Sequence, residues 1–361
     1  MASSAAGMPP VRRRRVWRWV LRIVLAIVTL VIVLAIVGAS YQAIKMRADA
    51  RRFPEEGRLV DIGGYRLNIN CAGQGSPTVI LDTGLGVPAI VWNLAQPDIS
   101  KFTRVCSYDR AGYGWSDPGP MPRTSAQIVK ELHTLLHNAG EKPPFVLVGH
   151  SFGGFNVRVY NGQYPDEVAG MVLVDASHED QTDYLPPAMK EAQAEQIKQL
   201  QAQQMLAPTL IRLGIVRWMA RNQPAPPGMS KEFFEETIYL QMQPKNIDAI
   251  SSEMMSLDVS SKEVRAAGDL GDKPLLVLTA AKRTDEKQLP KGTTQKDFDD
   301  YQKIWIDDLQ MRQAHLSTHG QRILVPDSSH MIPLERPATI VSAVREVCTE
   351  VNTHSAPQAR R

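Results

Sequence analysis

The 361-residue chain has only three cysteines, Cys71, Cys106 and Cys348. They cannot all pair within one chain, so a disulfide-rich scaffold is excluded and at most one bond can form. It also lacks a G-x-x-x-x-G-K-[ST] run, a dinucleotide fingerprint and any repeat of fixed period, which excludes P-loop enzymes and solenoids. His133/His137 and His315/His319 have i,i+4 spacing but lack the glutamate of H-E-x-x-H, so they read as surface histidines, not zinc ligands. Net charge is only +3, and the arginines at 12–15 with Arg18 and Arg22 crowd the N-terminus. The body is therefore close to neutral and offers no basic face for nucleic acid. No metal or organic cofactor is implied.

Behind that arginine cluster, residues 23–39 carry no charge. With Trp17, Trp19 and Val20 the stretch reaches the roughly 20 residues that cross a bilayer as a helix, and Trp17, Trp19 and Tyr41 stand at its ends, where amphipathic rings favour the interface. A cleavable signal peptide is the rival, since Val37, Gly38 and Ala39 resemble a cleavage site. The apolar run is longer than the usual h-region of about 7–15 residues, so an uncleaved anchor is favoured. The division expected is a basic tail at 1–15, a transmembrane helix at 16–39 and a polar linker without apolar periodicity at 40–57. The arginine excess on the N-terminal side places the N-terminus in the cytoplasm and the body outside, as a single-pass membrane protein.

From residue 58 the texture becomes strand-like. "RLVDIGG" and "YRLNINCAG" flank Gly63 and Gly64 as a hairpin, and "PTVILDTG", "TRVCSYDRAG", "PFVLVGHS" and "GMVLVDAS" are apolar runs ending in Gly, Asp or Ser. Between them "SAQIVKELHTLLHNAG" has a Thr124/Ser125 cap region, apolar residues at 128, 132, 135, 136 and 139, and Gly140 as terminator. Such alternation predicts a mostly parallel sheet with helices on both faces. It stops near 177. Residues 177–270 are helical in pattern and hold seven of the fourteen methionines, an insertion read as a cap over the strand ends, where α/β sheets place ligands. The core resumes at 271–349 with "KPLLVLTA" and "QRILVPDSSH", and 350–361 is a tail.

Gly149-His150-Ser151-Phe152-Gly153 fits G-x-S-x-G directly after an apolar strand and before a helix. A serine hydroxyl is a poor nucleophile unless it is exposed and deprotonated as it attacks, and a tight strand-to-helix turn lifts it above the sheet. Of the eight histidines, His330 follows a late strand and falls at the same sheet edge as Ser151. His150 should point away from the nucleophile, and His178, just past a strand end, is a lesser candidate for the base.

On "GHSFGG", "YDRAGYGWSD" (108–117) and "SSHMIPLERP" (328–337), the chain from 58 to about 348 resembles the α/β-hydrolase fold family. The resemblance implies an eight-stranded sheet with a cap after strand 6, Ser151 as nucleophile, His330 as base, and the backbone N–H of Phe152 in the oxyanion hole. The second oxyanion N–H would come from the loop after strand 3, where this chain has Thr83-Gly84-Leu85 in place of the family's H-G-x; Leu85 is taken, with Gly84 as the other candidate. Two aspartates compete for the acid. Asp285 follows the seventh strand, the commoner position; Asp175 ends the sixth, and is preferred because a strand end holds a carboxylate more rigidly. An aspartate at 151 would imply a dehalogenase or epoxide hydrolase; serine implies ester, thioester, amide or lactone cleavage. The expected activity is that of a membrane-anchored carboxylesterase or lipase on a small, apolar ester. An acyltransferase and a catalytically silent binding protein on the same fold are the alternatives. Cys71 and Cys106 fall on neighbouring strands of this fold, so a disulfide and two buried thiols are both open.

Overall fold

The computed structural model describes residues 10–355 apart from 226–228, 286–288 and 290–291. Its chain divides into two compact units, one formed by the N-terminal segment through Arg52 with Pro208–Gln223, the other by Phe53–Ala207 and Pro224–Arg361.

In the first unit helix α1 (Pro10–Arg52) reaches a mean hydropathy of 3.2 over its most apolar window. The stretch expected to be a linker, 40–57, instead continues this helix to Arg52. From Ser40 to Phe53 the chain has neither Gly nor Pro and is rich in Ala, Lys, Met and Arg, all good helix formers, and Pro54 lies just beyond the end. The absence of apolar periodicity there signalled a polar surface, not an irregular backbone.

The second unit is built on eight strands: β1 (Arg58–Asp61), β2 (Arg66–Ala72), β3 (Thr78–Asp82), β4 (Val105–Tyr108), β5 (Phe145–His150), β6 (Val168–Val174), β7 (Leu275–Ala280) and β8 (Gly320–Val325). Their order is β1-β2-β4-β3-β5-β6-β7-β8, parallel except that β2 runs against both β1 and β4. The mostly parallel eight-stranded sheet is thus borne out. Every residue of β3, β5 and β7 is buried. Their alternate positions feed opposite cores: Phe145 and Leu147 pack with Leu132 and Leu136 of α2 (Ser125–Ala139), Val146 and Val148 with Ile340 and Val344 of α11 (Pro337–Ser355). A strand covered on both faces reads as the continuous apolar run seen in the sequence. Helix α2 starts where Thr124 accepts the Gln127 N–H at 3.3 Å and ends at Gly140, whose φ of 78° needs glycine.

Helix α3 (Gly153–Gln163) follows β5. Between β6 and β7 come α4 (Pro187–Arg212), α5 (Ile215–Ala220), α6 (Lys231–Gln241), α7 (Pro244–Met255) and α8 (Leu257–Ala266). After β7, α9 (Gln295–Ile304) passes through a π-helical turn, Trp305–Leu309, into α10 (Gln310–Ala314).

Helix α7 is bound to the sheet by charge. The buried Arg110 guanidinium donates to Glu253 at 2.9 and 3.0 Å and to Asp82 at 2.8 Å, and the Tyr113 hydroxyl donates to Glu253 at 2.6 Å. Arg110 also donates to the carbonyls of Thr83 and Gly84 at 2.7 and 3.0 Å, so one side chain fixes both the inserted helix and the loop after β3. The ion pairs hold only as a set, because removing one partner strands the others without water.

Cys71 and Cys106 lie opposite one another on β2 and β4 and are joined by a disulfide, while Cys348 is a buried free thiol. The bond joins positions 35 apart in sequence. Loop-closure entropy assigns such a crosslink roughly 4 kcal/mol. The double variant Cys71→Ala/Cys106→Ala should therefore unfold at clearly lower urea concentration than the oxidised protein. Thiol titration of denatured, unreduced wild type should find one thiol per chain; three would exclude the bond.

Candidate active site

Two non-glycine residues among those described have positive φ, Ser151 at 52° and Asp175 at 40°. They end adjacent strands, β5 and β6. A side chain in this region costs on the order of 1 kcal/mol or more and persists only where its surroundings enforce it. Here the Ser151 N–H donates to Val174 O at 3.2 Å, and its carbonyl accepts from Gly154 and Ser177, both at 2.9 Å. The flanking glycines serve close approach. A methyl at Gly149 would lie 2.6 Å from Gly153 O, and one at Gly153 would lie 2.7 Å from the Asp82 and Thr83 carbonyls. The turn packs backbone on backbone, leaving the serine side chain as the group that projects.

Ser151 Oγ lies 2.9 Å from His330 Nε2, and His330 Nδ1 lies 2.6 Å from Asp175 Oδ2. Asp175 Oδ1 accepts from Ala280 N and from the Trp305 indole, each at 3.0 Å. The carboxylate is held from β7 and from the π-helical turn, and its remaining oxygen faces the imidazole. That interaction fixes the tautomer with hydrogen on Nδ1, leaving Nε2 free to accept the serine proton. Burial pushes the His330 pKa down, but the hydrogen bond and negative charge of Asp175 together outweigh it and leave it raised above 6.5. Asp285 is placed elsewhere, in the segment after β7 beside Arg283 and Gln295.

His150 does point away from Ser151. Its buried ring donates from Nε2 to the His330 carbonyl at 2.9 Å, and burial, then the neighbouring His330, push its pKa down to about 3. It is neutral throughout the working range and works as a strut under the His330 backbone. The loop on the other side is tied by Glu335, which accepts from Ser329 N at 2.8 Å and Ser329 Oγ at 2.7 Å. His178 is buried outside this cluster. Its Nδ1 accepts from Asp180 N at 3.0 Å, and burial pushes its pKa down to about 4.

The N–H groups of Phe152 and Leu85 have no acceptor among the described residues. Phe152 begins the turn into α3, and Leu85 follows the two carbonyls held by Arg110. Gly86 is fixed from both sides: its N–H donates to Tyr113 Oη, and its carbonyl accepts from Gln241 Nε2, both at 3.0 Å.

A cleft of about 330 Å³ opens over Ser151, His330 and Asp175. Ser177, Gln181, Lys282, Phe298, Tyr301 and Trp305 contribute to its wall. These come from the turn after β6, the segment after β7 and α9 with its π-helical turn. Among the described residues the wall is a mixture of hydroxyl, amide, amine and aromatic groups. Trp305, Arg110 and Glu335 had no role assigned from sequence.

The family profile described as "Alpha/beta hydrolase family" matches residues 79–343. A 2-hydroxymuconate semialdehyde hydrolase of Pseudomonas sp. (strain CF600) is 29% identical over 126 residues, 34% of this chain and 44% of that protein. Matches to the curated relatives span less than half of those proteins' length: 42%, 19% and 41% in three cases. Among solved structures, a putative lipase of Acinetobacter baumannii superposes with TM-score 0.59 at 17% identity, covering 87% of this chain and 97% of that one. A putative epoxide hydrolase of Pseudomonas aeruginosa gives TM-score 0.61 at 16% identity, covering 82% and 96%. At such identities the likeness shows the fold.

Proposed function

The chain belongs to the alpha/beta hydrolase family, and from that premise we propose that it is a membrane-anchored serine hydrolase that cleaves small carboxylic esters. The observation that carries this reading is the continuous hydrogen-bonded line Ser151–His330–Asp175. Ser151 Oγ attacks the ester carbonyl as His330 Nε2 takes its proton, and Asp175 stabilises the imidazolium that results. Charge gathering on the carbonyl oxygen is met by the N–H groups of Phe152 and Leu85. The alcohol leaves with the proton from His330, giving an acyl-enzyme on Ser151. Water then repeats the sequence and frees the acid. A carboxylate nucleophile, as in epoxide hydrolysis, has no counterpart at position 151.

The size and mixed lining of the cleft favour a short acyl group over a long alkyl chain. Helix α1, with six arginines on its N-terminal side, supports a single-pass anchor with the body outside the cytoplasm, and a disulfide in the sheet suits an oxidising compartment. The test is a fluorophosphonate probe with p-nitrophenyl esters of rising chain length, on the full chain in detergent. Labelling at Ser151 with fastest turnover of acetate or butyrate is expected. Labelling without ester turnover would point to another acyl substrate or acceptor, as in an acyltransferase; no labelling would overturn the hydrolase reading in favour of a silent binding protein.

A further inference from the structure

The first unit contains a contact that the hydrolase chemistry does not use. Pro208–Gln223, from the end of α4 through α5, packs along α1 from the end of its apolar stretch onward. A methyl at Gly38 would collide with the Leu213 carbonyl, so glycine is what lets the two backbones touch. Gly214, at φ 69°, makes the turn there, 3.1 Å from the Gly38 carbonyl measured from where its Cβ would be. One turn on, Arg217 donates to Gln42 Oε1 at 2.9 Å, to Asp49 Oδ2 at 2.5 Å and to Met46 Sδ at 3.2 Å. Small-residue backbone contact followed by a three-point arginine clamp is a built junction.

What the junction leaves outside is apolar and basic. Ile215, Trp218 and Met219 are 39%, 58% and 67% exposed. Arg221 stacks over the Trp218 ring at 4.0 Å. Pro208–Gln223 carries three arginines, Arg212, Arg217 and Arg221, and no acidic residue. Position decides what covers this face. Gly38 is the next-to-last residue of the apolar run of α1 at 23–39, so the backbone contact falls at the end of the span. Residues 38 to 49 then rise about 16 Å along the helix axis. That interval corresponds to the headgroup layer and the water beyond it if α1 crosses a bilayer. An aromatic residue, aliphatic neighbours and arginines without acids are the composition of a segment lying in that layer.

We propose that Pro208–Gln223 is a second membrane contact, seated in the phospholipid headgroup layer beside α1, with Ile215, Trp218 and Met219 facing the acyl boundary and Arg212 and Arg221 facing phosphates. The proposal rests on the anchor reading of α1. It makes the segment from the end of α4 through α5 a lipid-contacting surface.

The experiment is tryptophan quenching of the full chain reconstituted in vesicles containing anionic phospholipid, with bromines on the lipid close to the headgroup, and with aqueous iodide in parallel. Of the six tryptophans, Trp17 and Trp19 report α1. Wild type is compared with Trp218→Phe and with Trp17→Phe/Trp19→Phe. Support is a bromolipid-quenched component lost in each variant, with the Trp218 component poorly quenched by iodide. If only the Trp17/Trp19 component is quenched by lipid, the headgroup seat is overturned while the anchor stands, whether Trp218 is open to iodide or shielded from both quenchers by protein. If no component is quenched by lipid, the anchor fails and this proposal with it.

Discussion

Replacing Ser151 by alanine should lower ester turnover by about six orders of magnitude, the loss seen when the nucleophile of such a relay is removed. The argument is geometric. Ser151 Oγ is the hydroxyl 2.9 Å from His330 Nε2, and a turn crowded by Gly149, Gly153 and Gly154 presents it to the cleft. Alanine keeps that turn and removes one oxygen, so the fold should be untouched. Any remaining rate would come from water attacking an ester held by the Phe152 and Leu85 N–H groups. The measurement is kcat of purified wild type and variant against the best p-nitrophenyl ester, with circular dichroism as the folding control. A variant within tenfold of wild type would remove Ser151 from the chemistry.

Asp175→Asn should cost about four orders of magnitude in kcat, since an amide can donate to Nδ1 and stabilise the wrong tautomer of the base. Asp285→Asn should leave turnover within a few fold, because Asp285 sits with Arg283 and Gln295 and another carboxylate already holds His330. The pH profile separates this role from a merely structural one. His330 acts as base only when neutral, and Asp175 raises its pKa above 6.5. Activity of wild type should therefore fall as pH drops through that raised value. With the charge removed, burial alone acts on the imidazole, and the acid limb should move to lower pH. A limb that stays put in Asp175→Asn, or full loss in Asp285→Asn, would reverse the assignment.

Much of the fold was legible because its signals are local. The runs that became β5, β6 and β7 are continuous and apolar, and those of β5 and β6 end in Ser151 and Asp175, so the sheet and its interruption after β6 could be read directly. Ser151 stood out because a strand, a tight turn and a helix meet within eleven residues of sequence. The carboxylate was harder, since Asp175 and Asp285 both follow strands. The structure puts the former at His330 Nδ1 through the indole of Trp305, 130 residues further along. Arg110 and Glu253 are 143 residues apart, and neither neighbourhood says which acid the arginine will meet. The continuation of α1 past residue 40 was missed for the opposite reason: helix propensity there is adequate, but no buried stripe advertises it.

The two positive-φ residues have a consequence for any attempt to harden this enzyme. Glycine at 151 would relax the backbone by on the order of 1 kcal/mol, so a screen for heat tolerance alone would favour that substitution and return protein without a nucleophile, whereas glycine at 175 would leave the Ala280 N–H and the Trp305 indole without their acceptor and offset the same relief. Robustness and turnover are set against each other at residue 151, and a useful search must score both at once.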